Sequence, residues 1–226
     1  MDVFYFLKER TVLIRHFYET SSAPFTETKC LIEHAEAPFD NPPYDESGES
    51  AYLAEWLQAD VELELVGRAC VSMLSDALKQ FFVTWERRMW SDRPCQKCFP
   101  KEFNDGGFWA GYVACFAEAI GLDWSECPAD LAVLEQVVLA RNRAQHADLL
   151  SSSLSHDDKT RSKFQHPFFM RPEDFDLAAD SSSFMAPSLH IAATSVFHAI
   201  EQVEQLGDWF QRHAEVYYYR RRVSDA

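Results

Sequence analysis

The chain is short of positive charge, of glycine and of long apolar runs. Its 226 residues hold 21 Lys and Arg against 36 Asp and Glu, a formal net charge of −15. That balance favours solubility and repels polyanions at long range, whereas a general nucleic-acid binder is usually basic. Chemistry on RNA would have to use a local basic patch, or a substrate delivered by another molecule. Only 7 Gly are present, and they build neither a Gly-rich phosphate loop nor a G-x-S-x-G elbow; H-E-x-x-H is absent too. No run of about 18 uninterrupted apolar residues occurs, so no membrane span is predicted. Met1 to Arg10 has no basic leader region and no cleavage site, and charges interrupt it, so no signal peptide is expected. No internal repeat recurs at a fixed period.

What is present supports a core. Hydrophobic residues make up 47% of the chain, and the length suits one helical domain over 1–226 with an irregular insert at 151–186. Of the six Cys, Cys70 and Cys115 lie inside helical patterns, where a free thiol behaves as a small hydrophobe. With no export signal, a reducing cytoplasm is the expected compartment. Cys95-x-x-Cys98 is half of a zinc site by spacing, but no second pair follows. The reading is a plain loop with two thiols, with no metal and no other cofactor expected.

Apolar spacing of three and four predicts an all-α fold, a bundle of long helices. A first helix runs from Asp2 to about Thr20, ended by Thr20-Ser21-Ser22-Ala23-Pro24, and a short one over 26–35 can follow. Residues 38–50 read as a loop by their Pro, Gly and acids. Tyr52 to Trp90 is the longest helical stretch. One helix of that length would run on the order of 60 Å, so a break is expected, with Gly67 the weakest point. Its acids Asp60, Glu62 and Glu64 read as a solvated face. Gly106-Gly107 opens a helix over 108–120, with Gly121 placed as its C′ residue. Pro128 and Asp130 mark the start of another over 131–150. Beyond it, 151–186 is polar, with an aromatic stretch at 164–170 that is a short strand or a packed loop. This segment reads either as a lid or oligomer contact, or as an unstructured excursion. Pro187 then starts a helix whose seam, Ala192, Val196, Ala199, Val203, Leu206, Phe210 and His213, suits a core, a dimer interface or both. The run Tyr217 to Arg222 could stack bases and meet phosphates; the plainer reading is a solvated helix end.

The most informative stretch is Ala140-Arg141-Asn142-Arg143-Ala144-Gln145-His146. It closes the helix whose stripe is Leu131, Leu134 and Val138, and Arg141 continues that stripe. Burying a permanent charge is costly without a partner. One explanation is structural: an Arg tied to a carboxylate, with His146 favoured at the helix end by the dipole. The other is a resemblance. Arg141-Asn142-x-x-x-His146 resembles the R-x4-6-H motif of the HEPN superfamily, in the form where a polar residue follows the Arg, as in a bacterial branch of that superfamily. These are small helical domains, many of them metal-independent ribonucleases of toxin–antitoxin and phage-defence systems, and some are non-catalytic. Only this one helix carries the motif.

The resemblance implies Arg141 and His146 as the reactive pair, Asn142 in support and Arg143 lending charge toward RNA. The chemistry suits the residue types. His has the pKa for acid–base work on a ribose 2′-hydroxyl near neutral pH. Arg offers a planar, permanent charge for the phosphorane-like transition state, and Asn both donates and accepts. On an ideal helix Arg141 and His146 lie about 140° apart, so they converge only where the helix loosens or where a second subunit contributes. A homodimer with facing motifs is therefore expected, with an RNA substrate and an inhibitory partner protein. The competing reading is a non-catalytic helical module that binds a nucleotide or a protein.

Overall fold

The computed structural model describes residues 2–42, 48, 50–90, 94–145, 154–175 and 186–224, with 221–224 described by backbone alone. The protein is all-α. Seven α-helices occur among the described residues: α1 Val3–Glu33, α2 Leu53–Met89, α3 Cys95–Cys98, α4 Pro100–Ile120, α5 Leu131–Gln145, α6 Asp158–Lys163 and α7 Ala193–Ser224. Two 3-10 turns, Trp124–Glu126 and Pro172–Asp174, join them. No described helix is long and apolar enough to cross a membrane.

Local signals set several boundaries as expected. Asp130 caps α5, its Oδ1 accepting from Ala132 N at 2.9 Å and Val133 N at 3.2 Å. Gly121 ends α4 in the left-handed region at φ 68°, donating its N–H to the Phe116 carbonyl. Gly107, at φ 68° and ψ −165°, interrupts α4, so a helix does begin after the glycine pair.

Other boundaries differ. α1 does not stop at Thr20 but continues through Pro24 to Glu33. Pro24 lies on an exposed face, where water can satisfy the carbonyl that its missing N–H leaves without a ladder bond. α2 is one unbroken helix of 37 residues, and Gly67 is not its weak point. A Cβ at Gly67 would come within 2.4 Å of the Ile191 carbonyl oxygen, so this glycine permits a close backbone approach. α7 begins at Ala193 rather than at Pro187. Residues 187–190 are instead extended: Ser188 bridges Ser155 in antiparallel fashion, and Leu189 N donates to Leu154 O at 2.7 Å. The 164–170 stretch forms no strand; it is a loop that buries Phe169.

The chain gathers into two compact units, each built from helices. The first comprises Met1–Ile14, Ser72–Leu139 and Phe197–Ala226; the second comprises Arg15–Val71 and Ala140–Val196. In the first unit an aromatic cluster forms the core. Phe82, Trp85, Phe116 and Phe210 have no exposed surface, and the Phe116 and Phe210 rings meet edge to face at 4.7 Å. Such pairs contribute about 0.5–1.5 kcal/mol beyond area burial. Val203, Leu206 and Phe210 of the seam are fully buried in this core, so the chain itself uses that stripe. The start of α1 runs along α7: Thr11 Oγ1 donates to Glu204 Oε1 at 2.5 Å and Phe4 N to Gln211 Oε1 at 2.6 Å. Cys95 and Cys115 form a disulfide between α3 and α4. This corrects the reading of Cys115 as a free core thiol and of Cys95 as a loop thiol. Their partnership spans 20 residues, a separation that carries no local signature.

In the second unit α1 and α2 are tied to the segment that follows α5 by an ionic network. Asp60 accepts from Lys29 Nζ at 2.6 Å and from Arg171 Nη2 at 2.7 Å. Glu64 accepts from the same Arg171 nitrogen at 2.9 Å and lies 3.4 Å from His190 Nδ1. Asp60 and Glu64 are therefore not a solvated acidic face: their side chains are 16% and 11% exposed. Apolar residues along the same helix stay open to solvent. Leu53, Leu57, Val61 and Leu65, spaced by four, are 38%, 50%, 39% and 61% exposed. Over these turns α2 commits Asp60 and Glu64 to the network and leaves these apolar residues uncovered.

Candidate functional site

The sequence motif falls on the last turn of α5. Val133, Leu134, Val137, Val138 and Ala140 bury the face that precedes it, which fixes the rotation of the turn carrying Arg141, Asn142 and Arg143. Arg141 is half-buried and Asn142 exposed. The two side chains meet: Arg141 Nη1 donates to Asn142 Oδ1 at 3.1 Å. Adjacent helix positions do not ordinarily face each other, so the long Arg side chain bends along the helix surface to reach its neighbour. His146 lies outside the described residues, and so do 147–153.

Arg143 has a different engagement. Its Nε donates to the Ser155 carbonyl at 2.8 Å, which hooks the end of α5 to the strand-like bridge at Ser155 and Ser188. Next to that bridge His156 is buried, and its Nε2–H donates to the Phe169 carbonyl at 2.7 Å. Burial pushes the His156 pKa down, the hydrogen bond to Phe169 opposes this, and the positive charge of Arg143 adds to the depression. Through this bond His156 pins the loop that carries Phe169. Asp174 completes the arrangement, accepting from Ser188 N at 2.9 Å and Ser188 Oγ at 2.5 Å.

The Asp60–Glu64–Arg171 network escaped sequence reasoning, and half of it had a signal. Asp60 and Glu64 are four apart on one helix face, which marks a paired acidic site. Arg171 sits 111 and 107 residues away from them, and nothing in its own neighbourhood announces the partnership. Burial alone would raise both carboxyls. Hydrogen bonds from Lys29 and Arg171 more than reverse this for Asp60, and those from His190 and Arg171 do so for Glu64, leaving both below the usual carboxylate range.

The Cys95 sulfur is taken by Cys115, while Cys98 is an exposed thiol; no metal-ligand cluster occurs among the described residues. Of the basic aromatic tail, Tyr217 packs on Trp90 with ring centroids 6.1 Å apart, and Arg88 lies over Tyr218 at 5.3 Å. Those two rings belong to the packing of the first unit.

No family model, curated protein or solved structure matches this chain. The end of α5 brings together a guanidinium, an amide and a second, backbone-bound guanidinium on one helical turn of an all-α protein.

Proposed function

We propose that the protein is a metal-independent endoribonuclease of the HEPN type, working in a toxin or phage-defence setting and restrained by a partner protein. The observation that carries this reading is the contact between Arg141 and Asn142 on the closing turn of α5, the two residues that open the motif. Arg141 supplies the charge that steadies the phosphorane-like transition state, and Asn142 orients it. His146 serves as base or acid toward the 2′-hydroxyl and the leaving oxygen. Arg143, held to the Ser155 carbonyl, contributes field rather than a mobile contact to RNA.

The reading includes a homodimer, because Arg141 and His146 diverge on a regular helix. Its support in the second unit is the outward stripe Leu53, Leu57, Val61 and Leu65. Exposed apolar residues at regular spacing along one helix have the composition of an interface. A cytoplasmic location goes with the reading. The Cys95–Cys115 disulfide pulls against it, since disulfides persist chiefly in oxidising compartments.

The test is cleavage of total RNA by the purified chain in EDTA. The expected products end in 2′,3′-cyclic phosphate, and Arg141→Ala and His146→Ala each lower turnover about a hundredfold or more with helicity unchanged. Activity that survives both substitutions, or that chelator abolishes, would sink the nuclease. A second reading, a non-catalytic helical module for a nucleotide or a protein, draws on the net charge of −15 and on the structural bond of Arg143. It takes precedence if no RNA is cut.

A further inference from the structure

The first unit holds a concave site that the nuclease reading does not use. A cavity of about 720 Å³ opens between α2, α3 and α4, within the size range of small-molecule sites. Its walls carry the rings of Trp90, Phe103, Phe108 and Tyr112, and Lys79 and Arg87 also line it. Both cations are exposed. Eight residues apart on α2, they stand about 12 Å from each other along the helix. Lys79 Nζ lies 5.9 Å from the centre of the Phe108 ring, so one cation already rests against an aromatic wall.

Among the described lining residues one is an acid, and it is occupied. Glu86 is buried; one of its carboxylate oxygens accepts from the Cys95 backbone N–H, and the other accepts from Tyr112 Oη at 2.8 Å. A carboxylate with both oxygens committed to the protein makes a poor anchor for an incoming cation. Burial, and then Glu86 itself, raises the Tyr112 pKa far above its usual value, so the phenol remains a donor to Glu86. Among the described residues the cavity therefore offers a ligand aromatic surface at its walls, the exposed cations Lys79 and Arg87, and the amide of Gln96. In a chain of net charge −15 this is a local reversal of sign, built into a concave surface.

We propose that this cavity is a binding site for an aromatic anion of about nucleotide size, its ring system stacked among Trp90, Phe103 and Phe108 and its acidic group met by Arg87, with Lys79 adding to the attraction. Both parts are required: rings without charge leave the guanidinium unused, and charge without rings leaves the aromatic walls in water. The inference stands apart from the nuclease reading, which rests on the second unit. Two sources share this chemistry, nucleoside monophosphates and aromatic carboxylates, and they are separated by direct titration.

The experiment titrates the full chain with AMP, GMP, CMP, UMP and indole-3-acetate by calorimetry and tryptophan fluorescence, with adenosine and inorganic phosphate as half-ligand controls. At least one aromatic anion is expected to saturate with a Kd of about 1 mM or below, and both controls bind at least about tenfold more weakly. Saturation by the monophosphates assigns a nucleotide, and saturation by indole-3-acetate assigns an aromatic acid. Arg87→Gln and Phe108→Ala are each expected to weaken binding about tenfold with an unchanged far-ultraviolet spectrum. Lys79→Gln, also at an exposed position, repeats the charge test should Arg87→Gln disturb folding. The proposal is overturned if no aromatic anion saturates, if adenosine or phosphate binds as well as the combined ligand, or if the folded variants bind as tightly as the parent.

Discussion

Arg171 Nη2 donates to Asp60 Oδ2 at 2.7 Å, closing a contact between residues 111 positions apart. The same nitrogen reaches Glu64, so one cation holds two carboxylates on adjacent turns of α2. Removing it leaves two partly buried carboxylates with, among the described residues, only Lys29 beside Asp60 and His190 beside Glu64. Arg171→Ala is expected to cost about 2 kcal/mol in urea unfolding, below the range for fully buried pairs because 28% of the Arg171 side chain stays exposed. The pH dependence has a definite sign. Asp60 and Glu64 are held below the values of about 3.9 and 4.3 that they take when unfolded. The stability they contribute is complete above those values and is lost as pH falls through the depressed folded ones. An acid titration monitored by circular dichroism checks this: Arg171→Ala should flatten the low-pH limb as well as lower the plateau.

Gly67→Ala separates close approach from flexibility. In a solvated helix the substitution gains about 1 kcal/mol of propensity. Here the new methyl carbon meets the Ile191 carbonyl oxygen at 2.4 Å, a backbone atom that cannot rotate away. Overpacking of this kind costs about 1–3 kcal/mol or more. The variant should be less stable than the parent by about 1 kcal/mol or more; a more stable variant would mean that the approach is looser than the geometry shows.

The Cys95–Cys115 disulfide is checked by counting thiols. Cys30 and Cys98 are exposed among the free cysteines, whereas Cys70 is buried. Alkylation of the native chain should modify Cys30 and Cys98, denaturation should add Cys70 and Cys127, and only reductant should release Cys95 and Cys115. Closing a loop of this length contributes about 3 kcal/mol. Reduction should therefore lower Tm, and a Cys95→Ser, Cys115→Ser double variant should melt alike with and without reductant. Peptide mapping that finds both thiols alkylated without reductant rejects the bond.

The outward stripe of α2 is tested by charge. Leu57→Glu and Leu65→Glu together place two carboxylates at positions that are 50% and 61% exposed, so the fold of one chain should change by no more than about 0.5 kcal/mol. Sedimentation or light scattering should show dimer in the parent and monomer in the variant. Equal association in both removes the stripe from the dimer reading.

Much of the fold was written in short-range chemistry. The Asp130 cap, the left-handed Gly121 and the buried face of α5 each follow from residues within four positions of one another, the range over which a helix expresses its sequence. The misreadings share the opposite property. Gly67 looks like a breaker until Ile191 is beside it, Pro24 reads as a stop until its face is known to be exposed, and Asp60 and Glu64 look solvated until Arg171 arrives. Cys115 was indistinguishable from a core thiol for the same reason. At the motif, Arg141 and Asn142 were legible as neighbours on one turn. The hold of Arg143 on Ser155 was not, since it depends on where the chain returns after α5.

The hydrogen bond from Tyr112 to Glu86 also has an optical consequence. A phenol kept protonated by burial and by an adjacent carboxylate does not develop the near-ultraviolet absorbance of tyrosinate while the surrounding helices are intact. In an alkaline spectral titration Tyr112 should stay dark through the ordinary tyrosine range and ionise only as the first unit unfolds. Its late absorbance would then serve as an internal reporter of that unit, read without any label.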